Sequence, residues 1–358
     1  MTPKTHSAKP FWRQRLEWEY WPLWLSNAPL LCIWMWFALR SRHPFFFTTA
    51  NPGIQTGGLF SESKIQILQT IPQRYLPITL FLSNQEPLEQ VAEKVRIAGL
   101  SFPIIAKPDV GERGLLVKII RDELELIEHL NAHPIDWILQ EYISLPVEAS
   151  IFYYRLPGAK KGEITSICLK EFLHFSGDGK TTIGAWMAAD FRASKQLDRF
   201  KKEQPQLLEQ VLPVGEKIIL EPIGNHVRGT TFLNGNDWIS PELETVFDQL
   251  IDQMQDMFYG RFDLRCQSME LLQKGQQFKV LEFNGIGAEP AHIYDPKIPI
   301  RKKYSEIFRH WKVIFQIYRL QKARGVKAES WSGMLKYYRN YARYMQQIRA
   351  VAKNQLPS

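Results

Sequence analysis

Two runs of alternating apolar and polar residues near the end of the chain constrain the fold more than any other feature. Residues 258–265 and 278–284 flank a short polar stretch, which predicts a β-hairpin. Successive side chains of a strand point to opposite faces, so Glu282 and Asn284 share one face. Asp263 projects from the partner strand, and the apolar residues between these positions predict a buried opposite face.

Oxygen-bearing side chains on two adjacent strands can hold a hard cation. Mg²⁺ prefers carboxylates, waters and substrate phosphates. Asp263, Glu282 and Asn284 are therefore candidate ligands for Mg²⁺ or Mn²⁺. Taken alone, these residues also fit a strand pair with solvated carboxylates, joined by a tight turn at 274–277.

The order Asp, then Glu-x-Asn, then a glycine turn resembles the metal-binding end of the ATP-grasp superfamily. The D-alanine–D-alanine ligase pattern carries an Arg two residues before the Asp, where Arg261 stands here. The resemblance covers about residues 72–296 and implies an α+β ATP-grasp fold, in which two α/β subdomains grip ATP. It also implies that Arg261 neutralises charge developing on the transferred phosphoryl group.

A strand that ends in Lys-Pro and a glycine loop lie upstream, at 102–108 and 109–114. An ammonium beside such a loop can lie over phosphates, because the loop's N–H groups also bind anions. An ordinary hairpin with a surface lysine is the alternative. The stretch resembles the ATP-grasp phosphate strand and its glycine loop, which implies ATP contacts by Lys107, Gly111 and Gly114.

The next predicted strand, at 137–143, occupies the position of the family's adenine hinge. The resemblance implies that backbone groups there bind adenine and that Glu148 accepts the ribose hydroxyls. A carboxylate can hold a diol by two hydrogen bonds, whereas without a ligand Glu148 is a strand-edge carboxylate. The implied hinge residues are Gln140, Glu141, Tyr142 and Ile143.

Two polar loops follow the hinge. The Gly-Asp-Gly-Lys-x-Thr-Ile sequence at 177–183 resembles a loop of cyanophycin synthetase and the glutathione-synthetase branch, which implies that Lys170 contacts the γ-phosphate. Residues 224–231 resemble a loop of the ribosomal-protein glutamate ligases, which implies that Arg228 stabilises the phosphoryl group or an acyl phosphate. His226, a lone loop histidine, is expected to be structural.

The turn after the hairpin departs from the family pattern. In D-alanine–D-alanine ligases this turn supplies donors to the tetrahedral intermediate and side chains to the second substrate. Residues 285–296 lack the family's serine and methionine pattern and carry Ala288, Glu289 and His292 instead. D-alanine is therefore not expected as a substrate.

Six of the eleven tryptophans precede residue 40. Residues 20–39 carry no charge and approach the roughly 20 residues of a membrane span, but Pro22 and Pro29 interrupt them. Because Trp favours membrane interfaces, we favour an aromatic segment lying at a membrane surface or folded against the body. A true span stays open, and an aromatic helix packed on the core is the alternative.

The C-terminal stretch 301–358 contains fourteen basic and two acidic residues, whereas the whole chain has a net charge of +8. Its periodicity predicts two or three basic helices with aromatic faces. Such helices suit an anionic membrane surface; they also suit RNA, although we do not expect a nucleic-acid partner. A helical cap with a solvated basic face is the alternative.

Residues 45–50 predict a buried strand, followed by a glycine loop and a helix that begins near Lys64. This order can bind an anion at the helix N-terminus or form a plain βα turn. Under the resemblance, residues 45–71 are a shortened N-terminal substrate part with Lys64 facing the ligand. The three cysteines have no metal-ligand spacing.

The sequence thus predicts four parts: a Trp-rich segment (1–44), a short α/β part (45–71), an ATP-grasp domain (72–300) and a basic helical extension (301–358). The resemblance implies an ATP-dependent carboxylate–amine ligase that works through an acyl phosphate, with ATP and Mg²⁺ as cofactors and small-molecule carboxylate and amine substrates. A membrane-associated ATP-binding scaffold and a kinase-like phosphotransferase are the alternatives. We expect the protein in the cytoplasm, free or peripheral on the inner face of the membrane.

Overall fold

The computed structural model describes residues 21, 23–60, 62–111, 114–224 and 228–353. The helices are α1 (Leu23–Ser41), α2 (Lys64–Leu68), α3 (Leu88–Ile97), α4 (Glu123–Ala132), α5 (Ile183–Ala189), α6 (Phe191–Ser194), α7 (Leu197–Glu203), α8 (Pro205–Leu208), α9 (Pro241–Ile251), α10 (Met269–Gln273), α11 (Ile300–Ala323) and α12 (Trp331–Lys353). The strands are β1 (Thr79–Leu82), β2 (Ile104–Pro108), β3 (Lys118–Ile120), β4 (Trp137–Glu141), β5 (Val147–Tyr154), β6 (Glu163–Glu171), β7 (Leu173–Ser176), β8 (Lys217–Glu221), β9 (Thr231–Asn234), β10 (Tyr259–Cys266) and β11 (Phe278–Asn284).

The first sheet has the order β1-β4-β2-β3, and its neighbouring strands are antiparallel. Helices α3 and α4 supply Val95 and Leu126 to a core that also contains Ile104 and Leu139 of the sheet. Helix α4 begins after Asp122, whose carboxylate accepts a hydrogen bond from the Glu125 backbone N–H. This cap satisfies one of the N–H groups that a helix start leaves open.

The second sheet has the order β11-β10-β5-β6-β9 and is also antiparallel. Phe262 and Leu264 face a core to which α9 contributes Leu243 and Phe247. Since successive side chains alternate between faces, Asp263 and its neighbours Arg261 and Arg265 face the other way. The polar face of this sheet lines the candidate site.

A small β7–β8 sheet and helices α5 to α8 enclose a separate cluster around Phe175 and Phe200. The predicted turn at 177–183 is confirmed: the Asp178 carboxylate accepts hydrogen bonds from the backbone N–H groups of Lys180 and Thr181, and Thr182 caps α5.

The predicted buried strand at 45–50 is wrong. Phe46–Ala50 is a turn of 3₁₀ helix, in which the Thr48 and Thr49 hydroxyls donate to carbonyls three residues earlier. The Phe46 ring packs against α11, 5.9 Å from the rings of Trp311 and Tyr318. The aromatic run is therefore buried by a helix rather than by neighbouring strands.

The connection between β10 and β11 also differs from the predicted tight turn at 274–277. Helix α10 intervenes, capped by Ser268, and it buries Met269 and Leu272 in the core of the second sheet. The two strands still pair as predicted, with Asp263 opposite Glu282.

Helix α1 packs against α11 through Phe37, which lies in one core cluster with Ile314. The basic tail, for which two or three helices are predicted, contains α11 and α12 in its described residues. Within the described residues, no helix combines the length and apolar character needed to cross a membrane. The predictions for residues 1–20 lie outside the described part of the chain.

Candidate active site

A cleft of about 590 Å³ lies between the two sheets. The first sheet and its loops contribute one wall, and the polar face of the second sheet contributes the other. The sequence-predicted residues that line it are Lys64, Lys107, Gly111, Gly114, Gln140, Glu141, Tyr142, Ile143, Glu148, Lys170, Arg261, Asp263, Glu282, Asn284, Ala288 and Glu289.

Strand register explains why the polar side chains of the second sheet meet. Asp263 lies opposite Glu282 on one side and Ser150 on the other. Two residues further along the strands, Glu148 of β5 lies between Arg265 of β10 and Lys170 of β6. Because positions two apart share a face, both rows point into the cleft.

Asp263 is buried and surrounded by donors. The Arg261 guanidinium donates to both of its carboxylate oxygens, each at 3.1 Å, and Ser150 donates through its hydroxyl. Burial alone would raise the pKa of Asp263, but Arg261 and Lys170 outweigh it and lower the pKa to about 2. Asp263 is therefore a permanent negative charge at the floor of the cleft.

Glu148 forms a buried ion pair with two cations. Lys170 Nζ and Arg265 Nε each donate to one of its oxygens at 2.9 Å. Both oxygens are thus engaged, and the predicted ribose contact would require one of these bonds to break. Gly224 covers the carboxylate so closely that a β-carbon there would overlap with it.

Arg265 is a residue that the sequence analysis missed. Its other guanidinium nitrogens donate to the carbonyls of Ile143 and Pro222, each at 2.7 Å. It therefore ties the predicted adenine hinge to the second sheet. Its position two residues after Asp263, on the same strand face, was a usable signal.

Lys107 reaches from the first sheet to the second. Its Nζ donates to Gln140 Oε1 and to the Leu281 carbonyl, both at 3.0 Å. Burial lowers the pKa of the Lys107 ammonium to about 8, and attraction to Glu282 offsets part of that effect. The lysine that the sequence assigns to phosphates thus lies beside the predicted metal ligands.

Lys64 holds the glycine loop against the cleft. Its backbone N–H donates to the Asp109 carbonyl at 3.1 Å, and its ammonium donates to the Gly111 carbonyl. The Asp109 carboxylate in turn accepts from the Ile65 backbone N–H at 2.9 Å. The short N-terminal part therefore contributes directly to the wall of the cleft.

Arg228 lies apart from the other predicted residues. Its guanidinium donates to the Val117 carbonyl at 2.8 Å and lies 3.6 Å from Glu221, and it does not line the cleft. His292 is buried against Ser166 at 2.7 Å, and burial lowers its pKa to about 4, which indicates a structural role. His226 lies outside the described residues.

Asp263, Glu282 and Asn284 fit a metal ion that arrives with a nucleotide. Asn284 donates its amide N–H to Asp263 at 3.2 Å, so its carbonyl oxygen is the end of the amide that could bind an ion. No group of three or more His, Cys, Asp or Glu side chains converges in the described part of the chain. Mg²⁺ commonly takes only one or two carboxylates together with phosphates and waters, so this donor set suits a nucleotide-bound ion rather than a protein-only site.

The end of the cleft beyond Asp263 is lined by the turn that departs from the family pattern. Tyr294 donates its hydroxyl to Glu289, whose carbonyl accepts from Arg261 at 3.3 Å. Tyr341 of α12 also lines this cleft. The sequence motifs did not indicate Tyr341, because its place in the site depends on how a distant helix packs.

Many solved structures are similar to this chain, and three of them illustrate the likeness. A bifunctional glutathione synthetase from Pasteurella multocida is 14% identical, with 67% of this chain and 34% of that one covered and a TM-score of 0.36. A D-Ala:D-Ser ligase from Enterococcus faecalis is 13% identical, with 71% and 61% covered and a TM-score of 0.40. A D-alanine–D-alanine ligase from Bacillus anthracis is 14% identical, with 73% and 67% covered and a TM-score of 0.36.

The structure itself confirms the predicted α+β class, with antiparallel sheets, a short N-terminal part and a helical C-terminal extension. The chain spans 34% and 61% of the length of the first two. No family model and no curated protein matches the sequence.

Proposed function

We propose that this protein is an ATP-dependent carboxylate–amine ligase that forms an amide through an acyl phosphate. One observation carries the proposal: Lys107 of the first sheet donates to the carbonyl of Leu281, the residue before Glu282 in the second sheet. The lysine that we assign to the phosphates and the carboxylates that we assign to the metal thus line the same cleft. In this proposal residues 72–300 hold the nucleotide, and residues 45–71 complete the substrate side.

The roles follow from charge and position. Lys107 binds the α- and β-phosphates, and Lys170 and Arg261 neutralise charge on the γ-phosphoryl group. The hinge at 140–143 binds adenine. Asp263, Glu282 and Asn284 would hold a Mg²⁺ ion, which would offset the charge of the phosphates. Preorganised cations of this kind stabilise developing charge without reorganisation during the reaction.

The chemistry has two steps. An oxygen of the substrate carboxylate attacks the γ-phosphorus, the bond to the β-phosphate oxygen breaks, and ADP leaves. The amine nitrogen then attacks the acyl carbon, the bond to phosphate breaks, and the nitrogen loses a proton. Glu289 and Tyr294 line the acceptor end in place of the family pattern, so we propose an amine other than D-alanine.

Substitution Glu282→Ala tests the metal assignment. We expect ATP turnover to be abolished and the fold to survive, because Glu282 is only partly buried and faces the cleft. Turnover is measured as phosphate release with pooled carboxylates and amines, and folding is followed by circular dichroism. Wild-type turnover in a folded Glu282→Ala variant would show that Glu282 is not a metal ligand.

The same assay separates the ligase from the alternatives. Phosphate release that requires both a carboxylate and an amine supports ligation. A phosphorylated acceptor with no amine requirement would indicate a kinase-like transfer. Nucleotide binding without turnover in any pool would indicate an ATP-binding scaffold.

A further inference from the structure

The outer face of α1 is an exposed apolar stripe. Its members recur at helical spacing, and their side chains are 77% exposed at Leu39, 56% at Leu31, 53% at Trp36 and 43% at Met35. The opposite face is anchored by Phe37, which is 4% exposed. Single exposed apolar residues are ordinary on protein surfaces, but a contiguous patch marks an interaction site. We call these four residues the outer stripe.

The apolar surface continues onto α11. The Phe308 ring is 44% exposed and lies 5.5 Å from the Phe37 ring. Phe315, two turns along α11, also contacts Phe37 at 5.4 Å. The Arg40 guanidinium lies over both the Trp36 ring and the Phe315 ring. The α11 face that includes Phe308 and Phe315 therefore borders the outer stripe on the Trp36 side.

Cations border this surface. The Arg40 guanidinium lies 5.7 Å from the Trp36 ring and 5.9 Å from the Phe315 ring. Lys312 and Arg319 are exposed one helical turn from Phe308 and Phe315, on the same side of α11. Helix α1 contains no acidic residue, and the one in α11, Glu306, is 3.6 Å from the Arg309 guanidinium.

We propose that the outer stripe binds an anionic membrane surface, with α1 lying in the plane of the interface. Apolar side chains with a tryptophan enter the headgroup boundary, while bordering cations contact lipid phosphates. The charge favours lipid over a second copy of the chain. A symmetric dimer through this stripe would bring two sets of Arg40, Lys312 and Arg319 together, whereas an anionic surface neutralises them.

Cys32 provides a reporter within the same face. It is exposed, whereas Cys168 and Cys266 are buried. The full chain labelled at Cys32 with an environment-sensitive fluorophore is titrated with phosphatidylcholine vesicles, with and without phosphatidylglycerol. We expect a blue shift and co-sedimentation with the anionic vesicles, weaker binding to phosphatidylcholine alone, and release at high salt.

Matched variants locate the contact. Leu39→Glu is expected to weaken binding to anionic vesicles roughly tenfold or more, because a large apolar side chain is lost from the interface. Leu124→Glu, at a side chain 78% exposed on α4, should bind like wild type. Lys312→Gln should weaken binding roughly fivefold, the effect of one cation near an anionic surface.

Three results would overturn the proposal. The first is failure of the unsubstituted chain to bind anionic vesicles. The second is equal binding by Leu39→Glu and Leu124→Glu. The third is concentration-dependent self-association of the chain that Leu39→Glu abolishes while no vesicle binds, because the stripe would then be a dimer interface.

Discussion

At the scale of single residues, the polar face of the second sheet combines groups that could bind a ligand with groups that hold the sheet together. Glu282 projects toward the cleft, whereas two buried carboxylates are engaged by cations: Asp263 by Arg261, and Glu148 by Lys170 and Arg265. The role in binding a ligand was predicted from strand alternation, a local property. The role in holding the sheet together was not, because the partners of Glu148 come from strands far apart in the chain.

Removing Glu148 should destabilise the protein strongly. Glu148→Ala leaves the buried Lys170 and Arg265 without their carboxylate, and breaking a buried ion pair typically costs about 3–5 kcal/mol. Urea unfolding measures the change. Glu93→Ala serves as the control, since its partner Arg96 is solvent-exposed and little change is expected. Equal unfolding midpoints for the two variants would contradict a stabilising role for the buried pair.

Lys107 should make nucleotide affinity depend on pH. Its pKa is lowered to about 8, so the ammonium loses its proton as pH rises through that value, and affinity for MgATP should fall. Lys107→Arg stays charged and should flatten the profile. Calorimetric titration with MgATP from neutral to alkaline pH measures the affinity of the wild type and of Lys107→Arg. If the two affinities fall in parallel as pH rises, Lys107 does not bind the phosphates.

The same shift has a stability consequence with a definite sign. The folded pKa of about 8 lies below the ordinary value of 10.5, so between these values the unfolded chain binds more protons. Stability then rises with pH across this window. Below this window the charged Lys107 side chain therefore lowers the free energy of unfolding of the protein without its ligand.

At the scale of elements, α12 connects two cores. Met334 packs with Phe46 and Ile314, while Ile348 packs in the core of the first sheet. Tyr341 lies between them along the helix and lines the cleft. The sequence predicted a basic helix here but not its bridging position, because amphipathic periodicity shows which face is buried and not which partner buries it.

Ile348→Asp should release the end of α12 from the first sheet. A buried charge at this position is unfavourable, while Met334 still anchors the start of the helix. We expect faster amide exchange in residues 340–350 and faster nucleotide dissociation from a chain that remains folded. Gln347→Asp, at an exposed neighbouring position, is the control, and matching exchange rates in the two variants would mean that α12 is not held at this end.

At the scale of the whole molecule, the order of the motifs was predictable because each lies on one strand or loop. The errors arose where a distant partner decides the local structure. Residues 46–50 form a 3₁₀ helix because α11 buries the rings of Phe46 and Phe47. Helix α10 forms where Met269 and Leu272 pack into the core of the second sheet. The cleft itself depends on a contact between residues 107 and 281, which no local pattern reveals.

The cations of the cleft are already bound by the protein: Lys107 by a carbonyl, Lys170 by Glu148 and Arg261 by Asp263. An incoming nucleotide must therefore compete with internal acceptors for each of them. A triphosphate brings more anionic oxygens to that competition than a diphosphate does. Once the γ-phosphoryl group has been transferred, Glu148 and Asp263 regain Lys170 and Arg261 as donors, so these internal bonds would themselves help to expel ADP.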